Sequence, residues 1–272
     1  MPEQAPEHEL MTSLSEQDMT VLREAVQHLE HPSFAARLSS VVGTPIEMAV
    51  ELLPQGWHRR LHATAESAMT TALRFATAPM DNQPTARSRD GVFGLMGMAS
   101  GAAGGMFGLP GLIVELPVST TIMLRAIAEV ARREGEDVHE PATRLACVQV
   151  FALGGRAHSD DAAETGYYSV RFALASSVSS AIEQLAHHGA GGSALAGFVR
   201  AVAARFGVKL SQKAAAQLVP VVGAATAATV NAIFIRHFQE MARSHFAVRR
   251  LERQYGSELV KAHYERLAAA RA

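Results

Sequence analysis

Residues 91–133 read GVFGLMGMASGAAGGMFGLPGLIVELPVSTTIMLRAIAEVARR, and from Gly91 to Val114 no side chain ionises. A run of that length can cross a bilayer core as a helix, and it is equally what a fully enclosed core helix looks like. Gly97, Gly101 and Gly105 recur four apart, so one face of a helix here has no side chains and another backbone can approach it closely. A single straight rod is disfavoured, because Gly costs about 1 kcal/mol relative to Ala inside a helix and Leu109-Pro110-Gly111 interrupts the ladder. Two shorter helices meeting near Pro110 are expected. The second is expected to open at Glu115-Leu116-Pro117, to bury Ile122, Leu124, Ile127 and Val130, and to stop at Glu134-Gly135.

A second chargeless run, Ala214 to Ile235 (AAAQLVPVVGAATAATVNAIFI), again has a Pro and a Gly near its start. The two runs are natural partners, expected to pack as a central hairpin-like layer or to dip into a membrane. Around them the spacing is helical. Met19, Leu22, Val26 and Leu29 predict a helix from about Ser15 to a stop before Pro32, and a short helix from Ser33 reaches Gly43. Thr44-Pro45-Ile46-Glu47 reads as an N-cap hydroxyl, a first-turn proline and a glutamate reaching back. Trp57 to about Ala78 follows, with His58, Arg59, Arg60 and His62 clustered at its start, where positive charge opposes the macrodipole. The polar stretch Asp81 to Asp90 reads as a loop. Glu140-Pro141 opens a helix ending at Gly154-Gly155, and Asp160, Asp161 and Glu164 suit the first turn of a long helix through Leu185. Arg236 to Gly256 is amphipathic and locally basic, and no segment alternates as a strand would. The expected fold is all-α: a flexible tail over residues 1–14, one multi-helix bundle over 15–256 with the two apolar segments at its centre, and an exposed C-terminal helix or tail over 257–272.

Composition narrows the function. With 272 residues, 48% hydrophobic and 19% charged, the chain carries more apolar surface than an average domain needs. A formal net charge of −1 provides no field for a nucleic-acid backbone. The N-terminus lacks the basic and apolar regions of a secretory signal, and the one cysteine, Cys147, cannot close an internal disulfide. Both fit a reducing cytoplasm, with membrane contact made from that side.

Several blocks resemble the EcsC family of bacterial proteins, named for a component encoded beside an ABC transporter. They are TPIEMAVELLPQGW at Thr44 to Trp57, GLPGLIVELPVSTTIMLRAIAEVARREGED at Gly108 to Asp137, RLACVQVFALGG at Arg144 to Gly155, DDAAETGYYSVR at Asp160 to Arg171, and VPVVGAATAATVNAIFIRHFQEMARSHFAVRRLERQYG at Val219 to Gly256. Glu140 stands where an aspartate is expected before Pro141. The resemblance implies membership of a family of unknown biochemical function with no agreed catalytic residues to carry over; an ABC transporter or other membrane protein is a candidate partner.

Glu115 is the acid that most invites a role, because it closes a chargeless run and is costly to bury ionised without a partner. Arg125 is a candidate partner if the chain bends at Pro117; the plainer reading puts Glu115 at a helix start, accepting backbone N–H groups. Thr120 and Thr121 either line a polar spot with it or back-bond their own helix. Arg59, Arg60, Arg249, Arg250 and Arg253 are candidate contacts for anionic lipid. His237, Glu240 and His245 share a helix side, but a metal site needs ligands from other helices, so a solvated basic face is preferred and no metal or cofactor is expected. Cys147 reads as a small buried apolar residue. No G-x-S-x-G follows a strand, and the glycines of Gly101 to Gly105 lack the Lys-Ser or Lys-Thr of a phosphate loop. The expectation is a non-enzymatic protein on the cytoplasmic face of a membrane, holding lipid or assisting a transporter, with homo-oligomers through the glycine face as a further arrangement. The alternative is a hydrolase or other enzyme for an apolar substrate, with Glu115 and Thr120 in a pocket.

Overall fold

The structure, a computed structural model, describes residues 13–30, 34–76, 108–154, 166–188, 192–218 and 224–270. Among the described residues the regular elements are ten α-helices and one 3-10 turn. They are α1 (Glu16–Glu30), α2 (Phe34–Val42), α3 (Ile46–Glu51), α4 (Trp57–Ala76), α5 (Gly108–Arg133), α6 (Pro141–Gln149) with the 3-10 turn Val150–Ala152, α7 (Gly166–His188), α8 (Ser193–Leu218), α9 (Ala224–Tyr255) and α10 (Ser257–Ala269). The all-α expectation holds. Tail residues 1–12, the glycines at 97, 101 and 105, the 81–90 loop and the acids at 160, 161 and 164 lie outside the described residues.

Local signals fix several boundaries. Ser15 Oγ accepts the Asp18 N–H at 3.1 Å and donates to the Asp18 carboxylate at 2.8 Å, a side-chain N-cap that starts α1. At the end of α5, Gly135 takes φ 81°, its N–H reaches the Arg132 carbonyl, and the Glu136 N–H reaches that of Ala131. That pair of bonds is a Schellman stop. Pro141 sits in the first turn of α6 behind Glu140, as expected.

Elsewhere the structure corrects the sequence reading. Thr44 does not cap α3: its first turn begins after Pro45, and the Ile46 N–H bonds to Ser39 Oγ on α2 at 3.0 Å. Helix α5 does not open at Glu115. It starts at Gly108, with Pro110 in its first turn, and continues unbroken through Pro117, whose carbonyl accepts the Thr121 hydroxyl at 2.7 Å. The end of the chain is not simply exposed either, since α10 buries Val260, Tyr264 and Ala268. Glu30, last residue of α1, accepts the Gly166 and Tyr167 N–H groups at the start of α7 and the Tyr264 hydroxyl, so one carboxylate joins three helices.

The buried side chains form one continuous core. Its middle is a group of phenylalanines, Phe151, Phe206, Phe234 and Phe238, with successive ring centroids 5.0–5.9 Å apart, extended by Phe34 against Phe234. Helices α5 and α9 run in the same direction and α8 runs against them. Lys213 of α8 meets the start of both, at Glu115 and Asn231, and Arg249 near the end of α9 meets Glu136 just past the end of α5. Helix α4 starts at the same level as the first group, because His58 Nδ1 lies 3.3 Å from Ser211 Oγ.

The bundle therefore has two unlike ends. One is ionic: Glu136 takes Arg249 at 2.8 Å and also Arg253, and Arg250 bridges Glu134 at 2.9 Å and Asp18 at 3.3 Å. Burial pushes the Glu136 carboxyl up, but the hydrogen bond and charge of Arg249, with Arg253, hold it below its ordinary value. The other end, where α5 and α9 start and α8 stops, has Glu115 and Lys213 as its ionised core residues among those described.

Candidate functional site: a buried lysine, glutamate and asparagine

Glu115 is the eighth residue of α5, well past the turn whose N–H groups are free, so it does not cap the helix. Its carboxylate faces Lys213 of α8, Nζ lying 2.9 Å from Oε1 and 3.0 Å from Oε2. The third donor goes to Asn231 Oδ1 on α9 at 2.8 Å. Lys213 is 0% exposed and its ammonium lies 4.7 Å from the centre of the Phe234 ring. Burial pulls its ammonium down and the adjoining Glu115 carboxylate supports it. An ammonium has three donors, and here three acceptors meet them. Chemically the arrangement pins three helices together at the uncharged end, with the lysine engaged on every side.

Arg125 is not the partner of Glu115. Ten residues along an unbroken helix is about 15 Å, and Arg125 stands on the exposed side of α5. Thr120 is buried, and its Oγ1 has no hydrogen-bond partner among the described residues. Five residues on from Glu115 is about 140° round the helix, so the two do not share a flank. Ser119, one turn from Glu115, does share it, and its hydroxyl donates to the Leu116 carbonyl at 3.3 Å. Thr121 back-bonds to Pro117.

The basic candidates separate. Arg59 and Arg60 are exposed at the start of α4, the Arg60 guanidinium lying 5.6 Å from the Trp57 ring centre. Arg249, Arg250 and Arg253 are neutralised by Glu134, Glu136 and Asp18 at the ionic end. The solvated basic face expected around His237 and His245 is corrected: both rings are buried and neutral, burial holding each well below the ordinary histidine value. His245 Nδ1 lies 2.9 Å from the Tyr167 hydroxyl, and Glu240 is paired with Arg37. No group of three metal-ligating side chains occurs among the described residues. Cys147 is buried and its thiol is pushed up to about 12, chiefly by desolvation.

Sequence reasoning reached Glu115 but missed Lys213 and Asn231. The available signal was symmetry: Glu115 directly follows the first chargeless run, and Lys213 directly precedes the second. One helix among the described residues, Leu109–Arg133, is long and apolar enough to cross a membrane, with mean hydropathy 1.5, and most of its apolar window is buried in the bundle.

No curated protein and no solved structure matches the chain. The model of the EcsC protein family matches residues 16–251, spanning Glu115, Lys213, Asn231 and both ends of the bundle, and the chain therefore belongs to the EcsC family.

Proposed function

We propose that this protein works at the cytoplasmic face of a membrane, presenting the end of its bundle where α5 and α9 start to lipid or to the helices of a membrane-protein partner such as an ABC transporter. The observation that carries the reading is the polarity of the bundle. Most of the large exposed apolar side chains stand near the end where α5 and α9 start: Leu52 on α3 is 73% exposed and Val114 on α5 is 76% exposed, with Met48 and Leu218 also exposed, while Phe172 on α7 is exposed beside the Arg171–Glu252 pair at the ionic end. Trp57 at the start of α4 is half-buried with the Arg60 guanidinium over its ring and Arg59 exposed, the composition of a side-chain set that rests at the headgroup level. Each arginine near an anionic leaflet contributes about 1 kcal/mol. Glu47 and Glu51, exposed beside Met48 and Leu52, offset part of that attraction. Apolar insertion is then the larger component, with modest salt dependence.

Co-sedimentation of the full chain with vesicles tests this. The protein is expected to pellet with both neutral and anionic vesicles, more with the anionic ones, and Met48→Glu with Leu52→Glu should return it to the supernatant while its helical signal is unchanged. Wild-type protein remaining in the supernatant with every vesicle, even at low salt, refutes the proposal.

A further inference from the structure

His58, Arg59, Arg60 and His62 open α4 with basic side chains that oppose the helix macrodipole, so helix stability does not account for them. His58 and His62 are four residues apart and share one face of the helix. Both rings rest on α8. His58 Nδ1 lies 3.3 Å from Ser211 Oγ, and the His62 ring covers Gly207, where an added Cβ would stand 2.7 Å from Cε1 and 2.9 Å from each ring nitrogen. Ser211 and Gly207 are themselves one turn apart on α8, so the two imidazoles are anchored side by side about 6 Å apart along one groove. Both histidines are exposed, and a solute ion can reach them from water.

Gly207 gives this pair its weight. It stands in the interior of α8, where glycine weakens a helix relative to alanine. What its missing side chain makes room for is a ring that is itself in contact with solvent. An exposed ring adds little to the core; a seat kept for it fixes where its nitrogens point. Ser211, which is buried, does the same for His58. With Nδ1–H donating to Ser211 Oγ, the lone pair on Nε2 is left free, and an outer hydrogen bond of this kind is what orients a metal-bound histidine. The neighbouring arginines face elsewhere. Arg59 and Arg60 lie about 100° and about 200° round the helix from His58, and the Arg60 guanidinium is drawn over the Trp57 ring.

We propose that His58 and His62 chelate one divalent transition-metal ion of the class that prefers imidazole nitrogen, such as Cu2+, Ni2+ or Zn2+. Two histidines at this spacing on one helix form a bidentate nitrogen donor. No third protein ligand joins them among the described residues, so water fills the remaining positions. Mg2+ and Ca2+, which take oxygen ligands, do not suit the pair. The site stands without the membrane proposal, and its test uses no lipid.

The test is calorimetric titration of the full chain with the chlorides of Cu2+, Ni2+, Zn2+ and Mg2+ in a non-coordinating buffer, with copper spin resonance on the same samples. Wild-type protein is expected to bind Cu2+ most tightly, Ni2+ and Zn2+ more weakly and Mg2+ not at all. His58→Gln and His62→Gln should each weaken the site by about tenfold or more and reduce the coupled imidazole nitrogens from two to one. Both residues are exposed, so these variants keep the wild-type helical signal. Gly207→Ala retains both histidines and favours the helix, yet displaces the His62 ring, and should weaken the site by about tenfold. A role for Gly207 in packing alone does not move metal affinity. His187→Gln with His188→Gln should change nothing, because adjacent helix residues point apart. Absence of transition-metal binding overturns the site, as does equal uptake of Mg2+. So does wild-type affinity in either single histidine variant or in Gly207→Ala, or loss of the site in the His187 and His188 variant.

Discussion

Removing one member of the Glu115 and Lys213 pair should damage the protein far more than removing both. With Lys213→Met, a carboxylate whose side chain is 2% exposed loses its counter-charge, and Asn231 Oδ1 loses the donor at 2.8 Å. Stripping one partner from a buried ion pair costs about 3–5 kcal/mol, a large part of the 5–15 kcal/mol that holds an ordinary domain folded. Glu115→Leu leaves the lysine as the uncompensated charge and should cost a similar amount. In the double variant neither charge of the pair remains, and the two new side chains have nearly the volume of the old. The residual cost is then the Asn231 oxygen, about 1–3 kcal/mol. Urea unfolding followed by circular dichroism measures all three, and the double variant should have a higher midpoint than either single variant. Additive losses, or single variants within about 1 kcal/mol of wild type, would refute the assignment of this pair as the lock of the uncharged end.

Acid should loosen the fold before the carboxylates titrate. His237 and His245 are held well below the ordinary histidine value by burial, so below about pH 6.5 the unfolded chain binds protons that the native one refuses. Stability is then present in full above pH 6.5 and lost as pH falls, by up to about 1.4 kcal/mol per unit for each ring; urea midpoints from pH 7 to 5 should slope less in the His237→Gln, His245→Gln protein. Gly154→Ala should destabilise strongly, because φ is +68° and the new Cβ would stand 2.6 Å from Met241 Sδ; an unchanged Tm would contradict that geometry. Arg249→Ala should lower the unfolding midpoint without altering vesicle binding, and Arg59→Ala with Arg60→Ala should do the reverse, since the first arginine is clamped to Glu136 and the other two are exposed.

Much of the helical layout was legible because its signals are local. Glu134-Gly135 and Glu140-Pro141 each mark an end within one turn of sequence, and the spacing of Met19, Leu22, Val26 and Leu29 marks α1. What was missed depends on distance along the chain. The cap of α3 comes from Ser39 on the helix before it, and Glu115 finds its partner 98 residues away rather than at Arg125. Glu115-Leu116-Pro117 reads as a helix start, yet the structure carries α5 through it, with Thr121 satisfying the carbonyl of Pro117. Helix α8 was not read at all. It buries Lys209, Ser211 and Lys213 along with Leu210 and Ala214 to Ala216, so apolar and polar residues are enclosed together and no single-faced period survives. The same enclosure hid the nature of His237 and His245, whose polar sequence context suggested a wet face.

The most direct test of the polarity of this bundle is hydrogen exchange of the full chain with and without anionic vesicles. Lipid should slow exchange in residues 46–60 and 108–118, at the uncharged end, and leave residues 134–140 and 249–256, at the ionic end, unchanged. Protection confined to the ionic end, or none anywhere, would contradict the account.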